Sequence, residues 1–414
     1  MKRVSTYQPN YDMQYYLRRR NNEMSRVQNQ IGSQSRITNL RDDPIAAAHS
    51  VRYKSAVDRL SQFDQNAAMV LDEGRIAESY LKSANDILHQ VRELAVKGAN
   101  DTLNKDDKRM IGGEIDQLLK ELVEIANARG PDGTSFFAGD RTMSPAYRVI
   151  QGSLDGGRSY GVTNVEYIGT ITPPKAEVSS GNYIQAGFSG NNLFWAEQQQ
   201  LFSGRDASSY TLTEDSLVRI DNEYVKLSAG DNIHAIIAKI NDSAAAVKAS
   251  LDPVENSLVL STTSPHQLWL EDVGDGRVLK DLGVIAEIGK APYNLARGAS
   301  LSGGSLFDMV MNLRDSLLKG DTIEIGGSAL KGISMAQDNL IETMSGLGSR
   351  DERLQLIRQR IAQERPEIVN RDSQETDVDL AEAITDLTAL EQSHKAALQT
   401  AGKILQPTLL DFLR

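Results

Sequence analysis

Leu60, Phe63, Ala67, Val70, Gly74, Ala77, Leu81, Ala84, Leu88 and Val91 follow one another at alternating intervals of three and four residues. That spacing predicts a single long helix with a narrow apolar seam. Residues 60–98 alone would make roughly 58 Å of helix at about 1.5 Å per residue. Upstream, Leu17, Met24 and Ile31 stand one heptad apart with Val27 between them, a second and looser helical signal. Arg41-Asp42-Asp43-Pro44 separates the two. Asp43 suits an N-cap, and Pro44 suits the first helical position, where its missing N–H costs nothing. A third helix carries Ile111, Ile115, Leu118, Leu122 and Ile125, and Gly130-Pro131-Asp132-Gly133 closes it.

From about residue 140 to 300 the pattern shifts to short β-prone runs between clustered glycines. Leu217–Ile220 and Tyr224–Leu227 flank Asp221-Asn222 and read as a hairpin. Asp231-Asn232 is placed to cap a short helix through Ile233, Ile236, Ile237 and Ile240, with strands expected at Val247–Leu251 and Leu258–Leu260. Helical spacing returns near Leu306. Leu340, Met344, Leu347, Leu354, Ile357 and Ile361 form a stripe that Asp351 interrupts, and Pro366 should kink or break this helix. A last stripe runs through Leu380, Ile384, Leu387, Leu398, Ala401 and Leu405, with a capping box expected at Thr376 and Asp379.

The expected fold class is α+β: long antiparallel terminal helices form a coiled-coil or bundle stalk, with an inserted, strand-rich mixed α/β domain. The segments are an N-terminal arm (1–43), an N-terminal stalk (44–139), the insertion (140–300), a C-terminal stalk (301–375) and a C-terminal arm (376–414). Stalk packing falls to Leu60, Phe63, Val70, Leu81, Leu88 and Val91. Contacts with other subunits fall to Leu17, Met24, Val27 and Ile31 in one arm. In the other arm they fall to Ile384, Leu387, Leu398, Ala401, Leu405, Leu409 and Phe412.

Charge supports pairing of the arms. Residues 1–40 hold seven cations and two anions, a net +5, while 366–414 hold nine anions and four cations, a net −5. Opposite charge on two seamed helices favours their association, although exposed pairs contribute only about 0.2–1 kcal/mol each. Apolar contact must therefore supply most of the stability. A pair this thin is expected to be completed by neighbouring copies. The chain as a whole carries a net charge of −11, which argues against general nucleic-acid binding. No apolar run reaches the 18 residues needed to span a bilayer, and the polar first 30 residues show no secretory h-region.

Candidate chemistry is sparse. The chain has no cysteine, and its five histidines (His49, His89, His234, His266, His394) lack metal-ligand spacing. Gly303-Gly304 and Gly326-Gly327 lack a P-loop or dinucleotide fingerprint. No cofactor, metal or catalytic set is expected, and Asp42-Asp43 reads as a cap rather than a carboxylate pair.

Four segments resemble the flagellin superfamily, and within it the hook–filament junction proteins. They are the opening Met1-Lys2-Arg3-Val4-Ser5-Thr6, the stretch from Ile31-Gly32-Ser33 to the helix-start loop Arg41-Asp42-Asp43-Pro44, the end from Lys403 to Leu413, and the module between Thr213 and Leu282. The Gly32-Ser33 order departs from the more usual Ser-Gly. The resemblance implies a structural subunit exported unfolded by the flagellar type III apparatus, with an export chaperone on its C-terminal region. Its partners would be identical subunits, the hook-side junction protein and flagellin, with neither nucleic acid nor membrane insertion. Its location would be the bacterial flagellum, extracellular or periplasmic. Two alternatives are a filament flagellin and, from another class, a hydrolase carried by the insertion.

Overall fold

The computed structural model describes residues 8–154 and 159–404. It divides into two compact units, Met1–Asp64 with Arg358–Arg414, and Gln65–Ile357. In chain order the helices are α1 (Gln8–Ser33), α2 (Pro44–Gly98), α3 (Lys105–Ala126), α4 (Gly190–Leu193), α5 (Ile233–Asn241), α6 (Val278–Asp281), α7 (Leu306–Lys319), α8 (Thr322–Glu324), α9 (Leu330–Thr376) and α10 (Leu380–Ile404). The strands are β1 (Tyr147–Leu154), β2 (Ser159–Tyr167), β3 (Lys175–Ser179), β4 (Asn182–Gln185), β5 (Gln200–Asp206), β6 (Ser216–Ile220), β7 (Glu223–Leu227), β8 (Val247–Leu251), β9 (Ser257–Thr262), β10 (Leu270–Val273) and β11 (Ser300–Ser302). Long helices and a strand-rich insertion are both present, so the α+β expectation holds.

In the Gln65–Ile357 unit, α2 buries the stripe that its spacing foretold. Val70, Leu81, Leu88 and Val91 are fully buried, each stabilising by about 1.5–3 kcal/mol. Small residues on the same stripe allow close helix approach. A Cβ on Gly74 would stand 3.0 Å from Arg350 Nη2 and from Asp351 Oδ1 of α9. α3 begins at an Asn104–Asp107 capping box, and α7 at a Ser305–Asp308 box. Gly320, at φ 80°, supplies the left-handed residue that ends α7. Leu119 and Leu122 of α3 and Leu313 of α7 join the α2 stripe in one core.

The same core holds a cluster of rings with no helical or strand period. Tyr147 lies 5.0 Å from Phe307 and 5.2 Å from Tyr167, and Phe137 lies 5.2 Å from Phe194, centroid to centroid. These spacings suit tilted and edge-on aromatic contacts. One ion pair is sealed in beside the β1–β2 hairpin. Arg314 Nη1 donates to Asp116 Oδ1 at 2.8 Å and to the Val162 carbonyl at 2.6 Å, while Lys120 Nζ stands 2.9 Å from Asp116 Oδ2.

Residues 200–302 build a second core from two antiparallel sheets, of order β10-β6-β7 and β11-β5-β9-β8. Alternation sends Val218, Ile220, Val225 and Leu227 inward against Ile233, Ile236 and Ile240 of α5. The β6–β7 turn is Asp221-Asn222, with Asp221 at φ 53°. Asn232 caps α5 through Ala235 N at 2.9 Å. Strands β1, β3, β4, β5, β10 and β11 had no counterpart in the sequence reading.

Two helix boundaries differ from expectation. α9 runs unbroken through Pro366. Residues 362–367 are all exposed, so the carbonyl that loses its N–H partner faces solvent rather than apolar packing. Thr376 does not cap α10; its hydroxyl donates to the Asp372 carbonyl at 2.8 Å within the last turn of α9. Asp379 alone caps, accepting from Ala381 N and Glu382 N at 2.9 and 3.2 Å. Among the described residues, no helix is long and apolar enough to cross a membrane.

Candidate assembly interface

In the terminal unit α1 packs along α10. The chain folds back at both inner ends. Ser35 bridges Asp377 in antiparallel fashion, and Arg20 of α1 donates to Ser393 Oγ further out along α10. Partners advance on one helix as they retreat on the other, so the pair is antiparallel. Burial marks the seam. On α1, Met13, Leu17, Met24, Val27 and Ile31 are half-buried to buried, with Arg20 holding the place between Leu17 and Met24. On α10 Ala383, Leu387, Leu390, His394, Ala397 and Ala401 are covered at intervals of four and three, with Glu391 and Ser393 half-buried beside them.

That register splits the positions singled out from sequence. Leu387 and Ala401 sit on the covered side. Ile384 and Leu398 remain 55% and 49% exposed, on a different face from the seam. His394, read as an interruption, occupies the seam together with three alanines. Leu405, Leu409 and Phe412 lie outside the described residues. The alanines escaped sequence reasoning because the larger Ile384 and Leu398 dominate the hydrophobic pattern. Small residues nonetheless suit a close antiparallel contact.

A polar clamp closes the inner end of the pair. Arg36 N donates to the Thr376 carbonyl at 2.8 Å, and Arg36 Nη2 donates to the Glu375 carbonyl at 2.8 Å and to Asp43 Oδ2 at 3.1 Å. The Glu375 carboxylate lies 3.0 Å from His49 Nδ1 and accepts from Tyr53 Oη at 3.4 Å. Further along, Arg358 Nε donates to Asp64 Oδ1 at 2.7 Å. These pairs run α2 antiparallel to α9 within this unit. Leu60 and Phe63 are half-buried there.

The helix-start loop is built from local hydrogen bonds. Asp43 Oδ1 accepts from Ala46 N at 3.0 Å, capping α2 one residue before Pro44. Asp42 Oδ2 accepts from Thr38 N, Thr38 Oγ1 and Asn39 N at 3.2, 3.0 and 2.9 Å. The Asn39 amide, the Thr38 hydroxyl and the nearby Arg26 hold the Asp42 carboxyl below its ordinary pKa. The Ala46 amide and Arg36 do the same for Asp43. Arg41 is exposed beside them.

Among the described residues, only one side of each terminal helix is covered. Tyr11, Tyr15 and Tyr16 are 72%, 64% and 60% exposed on α1, and Leu40, Ile45 and Val51 are exposed around the start of α2. These apolar and aromatic groups stand in solvent on helices already paired on their other side.

Among the described residues, a serine–histidine–aspartate contact lies in the insertion. His266 Nε2 is 3.1 Å from Asp221 Oδ2, and Ser264 Oγ is 3.3 Å from His266 Nδ1. The same Nδ1 lies 2.9 Å from the Ser264 carbonyl, an acceptor only, so it must carry a proton and donate. A nitrogen so committed cannot take the serine proton as a general base, and the trio ties a loop to the β6–β7 turn. Among the described residues, no group of three or more His, Asp or Glu side chains is arranged to hold a metal.

Two family descriptions match the chain: "Bacterial flagellin N-terminal helical region" over residues 4–142 and "Flagellin hook IN motif" over 217–264. A flagellin of Listeria innocua serovar 6a is 26% identical over 253 residues, covering 59% of this chain and 82% of that protein. The flagellar hook-associated protein 3 of Escherichia coli strain K12 is 24% identical over 165 residues, 40% of this chain and 48% of that protein. The crystal structure of Xanthomonas campestris FlgL aligns with a TM-score of 0.45 at 16% identity, over 78% of this chain and 99% of that one. The first match covers α1 to α3 and the second takes in β6 to β9. With its N-terminal helices and its inserted module both matched in this way, the chain is similar to the flagellin superfamily of flagellar structural proteins.

Proposed function

We propose that the chain is the adaptor that joins the hook-side junction zone of the flagellum to the flagellin filament. Copies of itself would cover the outer faces of α1 and α10. The observation that carries this reading is the half-dressed terminal pair: one covered seam, with Ile384, Leu398 and the α1 tyrosines left in solvent. A subunit that acted alone would have no use for that surface. The likeness to hook-associated protein 3 supports the junction role. Its partners would be identical subunits, the hook-side junction protein and flagellin. Export through the type III apparatus, with a chaperone on the C-terminal region, would deliver it to the flagellum outside the cytoplasm.

Imaging of cells that lack this chain tests the proposal. Hooks present, filaments absent and flagellin shed into the surroundings are expected; normal filaments would overturn it. The likeness to Listeria flagellin favours a second reading, a filament subunit. Purified chain that grows long filaments unaided would support that reading. Addition only to a hook-side template supports the adaptor.

A further inference from the structure

We propose that a basic groove on the outer side of α1 receives the acidic start of α10 from the next copy. The contact would join two different surfaces and therefore repeat from copy to copy. This rests on the self-assembling reading above. The groove, about 660 Å³, runs along α1 and is closed at one end by residues 38–42. Tyr15, Arg18, Asn22, Arg26 and Asn29 line it at three- and four-residue spacing, opposite the α10 seam, and Arg41 stands at its end.

Its charge is not balanced from within. Of its two carboxylates, Glu23 is taken by Arg19 at 3.1 Å, and Asp42 accepts from the loop's own amides and the Thr38 hydroxyl, with Arg26 near it but beyond ion-pair distance. Arg18, Arg26 and Arg41 have no carboxylate within ion-pair distance among the described residues. The complement lies on the same unit. From Asp372 to Glu391 the chain has seven carboxylates and no Lys or Arg. Glu375 is held by His49 and Asp379 caps α10. Glu382 and Asp386, one turn apart and exposed, have no ion-pair partner among the described residues. They flank the seam, so α10 can present them while still packed on α1.

A groove on one copy and a different face on the next make a heterologous contact, which closes into a ring or continues as a helix. Complementary charge fixes its register and disfavours wrong partners. The chain has no cysteine, so a disulfide can report the contact in flagella isolated from cells making the full chain. Asn22→Cys with Ala389→Cys should cross-link into a ladder of two, three and more copies, while each single variant should give none. Arg18→Glu with Arg26→Glu, added to that pair, should reduce the ladder at least tenfold. Co-production with a Glu382→Arg, Asp386→Arg chain carrying the same two cysteines should restore it, because each reversed groove then meets a reversed face. If the chain is in the flagella but no ladder forms, or if charge reversal leaves it unchanged, the inference falls and the adaptor reading stands. If the chain is absent from flagella, both fall.

Discussion

The amide of Arg36 donates to the carbonyl of Thr376 at 2.8 Å, joining residues near the two ends of the chain. Beside it Arg36 also reaches the Glu375 carbonyl and the Asp43 carboxylate. The loop that starts α2 and the corner between α9 and α10 are thus one structural element. Glu375→Ala removes the acceptor shared by His49 and Tyr53. Both bonds are partly exposed, so the cost is about 0.2–1 kcal/mol. Hydrogen exchange should quicken at residues 34–38 and 375–379 while the Gln65–Ile357 unit is unchanged.

Leu88 is fully buried, whereas Leu398 is 49% exposed. Leu88→Ala should cost on the order of 2–5 kcal/mol, and Leu88→Asp more, because it buries a charge. Leu398→Asp should change monomer stability by no more than about 0.5 kcal/mol and still impair assembly. Thermal unfolding and flagellar incorporation, measured on both, separate packing from docking.

Asp116 and Arg314 make the costliest pair to break. Arg314→Ala leaves a buried carboxylate with only Lys120 and the Val162 amide, a loss on the order of 3–5 kcal/mol. Arg314→Met combined with Asp116→Leu should recover much of it. Denaturant unfolding of Arg314→Met, Asp116→Leu and their combination would show the non-additivity.

The same aspartate predicts acid sensitivity. Burial works to raise its pKa, but the Lys120 and Arg314 hydrogen bonds outweigh burial and hold it below the ordinary value. A depressed carboxyl stabilises the fold above its unfolded pKa, about 3.9, and loses that contribution as pH falls through the folded value. Wild type should lose stability below about pH 4 more steeply than the Arg314→Met, Asp116→Leu variant.

Glu73 shows the opposite sign. Burial and the charge of Asp132 raise its pKa, against a smaller pull from Arg350. A raised carboxyl favours the fold in its neutral form, so this contribution is full below the unfolded pKa and is lost as pH rises through the folded value. Glu73→Gln should therefore stabilise at neutral pH and give no gain below about pH 4, as a melting series across that range would show.

What the sequence made legible follows from local periodicity. The α2 stripe, the Asp221-Asn222 hairpin and the Asn232 cap each depend on neighbours a few residues away. The ring cluster joins Phe137, Tyr147, Phe194 and Phe307 from four separated segments, and no local window contains it. β3 and β4 are neighbours in sequence, but their two-stranded sheet is short and its register shifts between Glu177 and Ser179, which leaves little period to read. In the terminal pair the large side chains misdirected the reading. The covered face of α10 is carried by Ala383, Ala397 and Ala401 beside Leu387 and Leu390, whereas Ile384 and Leu398 point away from it. A helix with two usable faces offers two stripes, and its own sequence does not say which one the same chain will take.

The central claim is that subunits of the flagellum cover what α1 leaves open on α10. Because the chain has no cysteine, Ile384→Cys gives a single thiol on that face, and maleimide labelling of it in purified monomer and in isolated flagella measures the claim directly. Rapid labelling of the monomer with protection in flagella is the predicted result; equal labelling in both would contradict it.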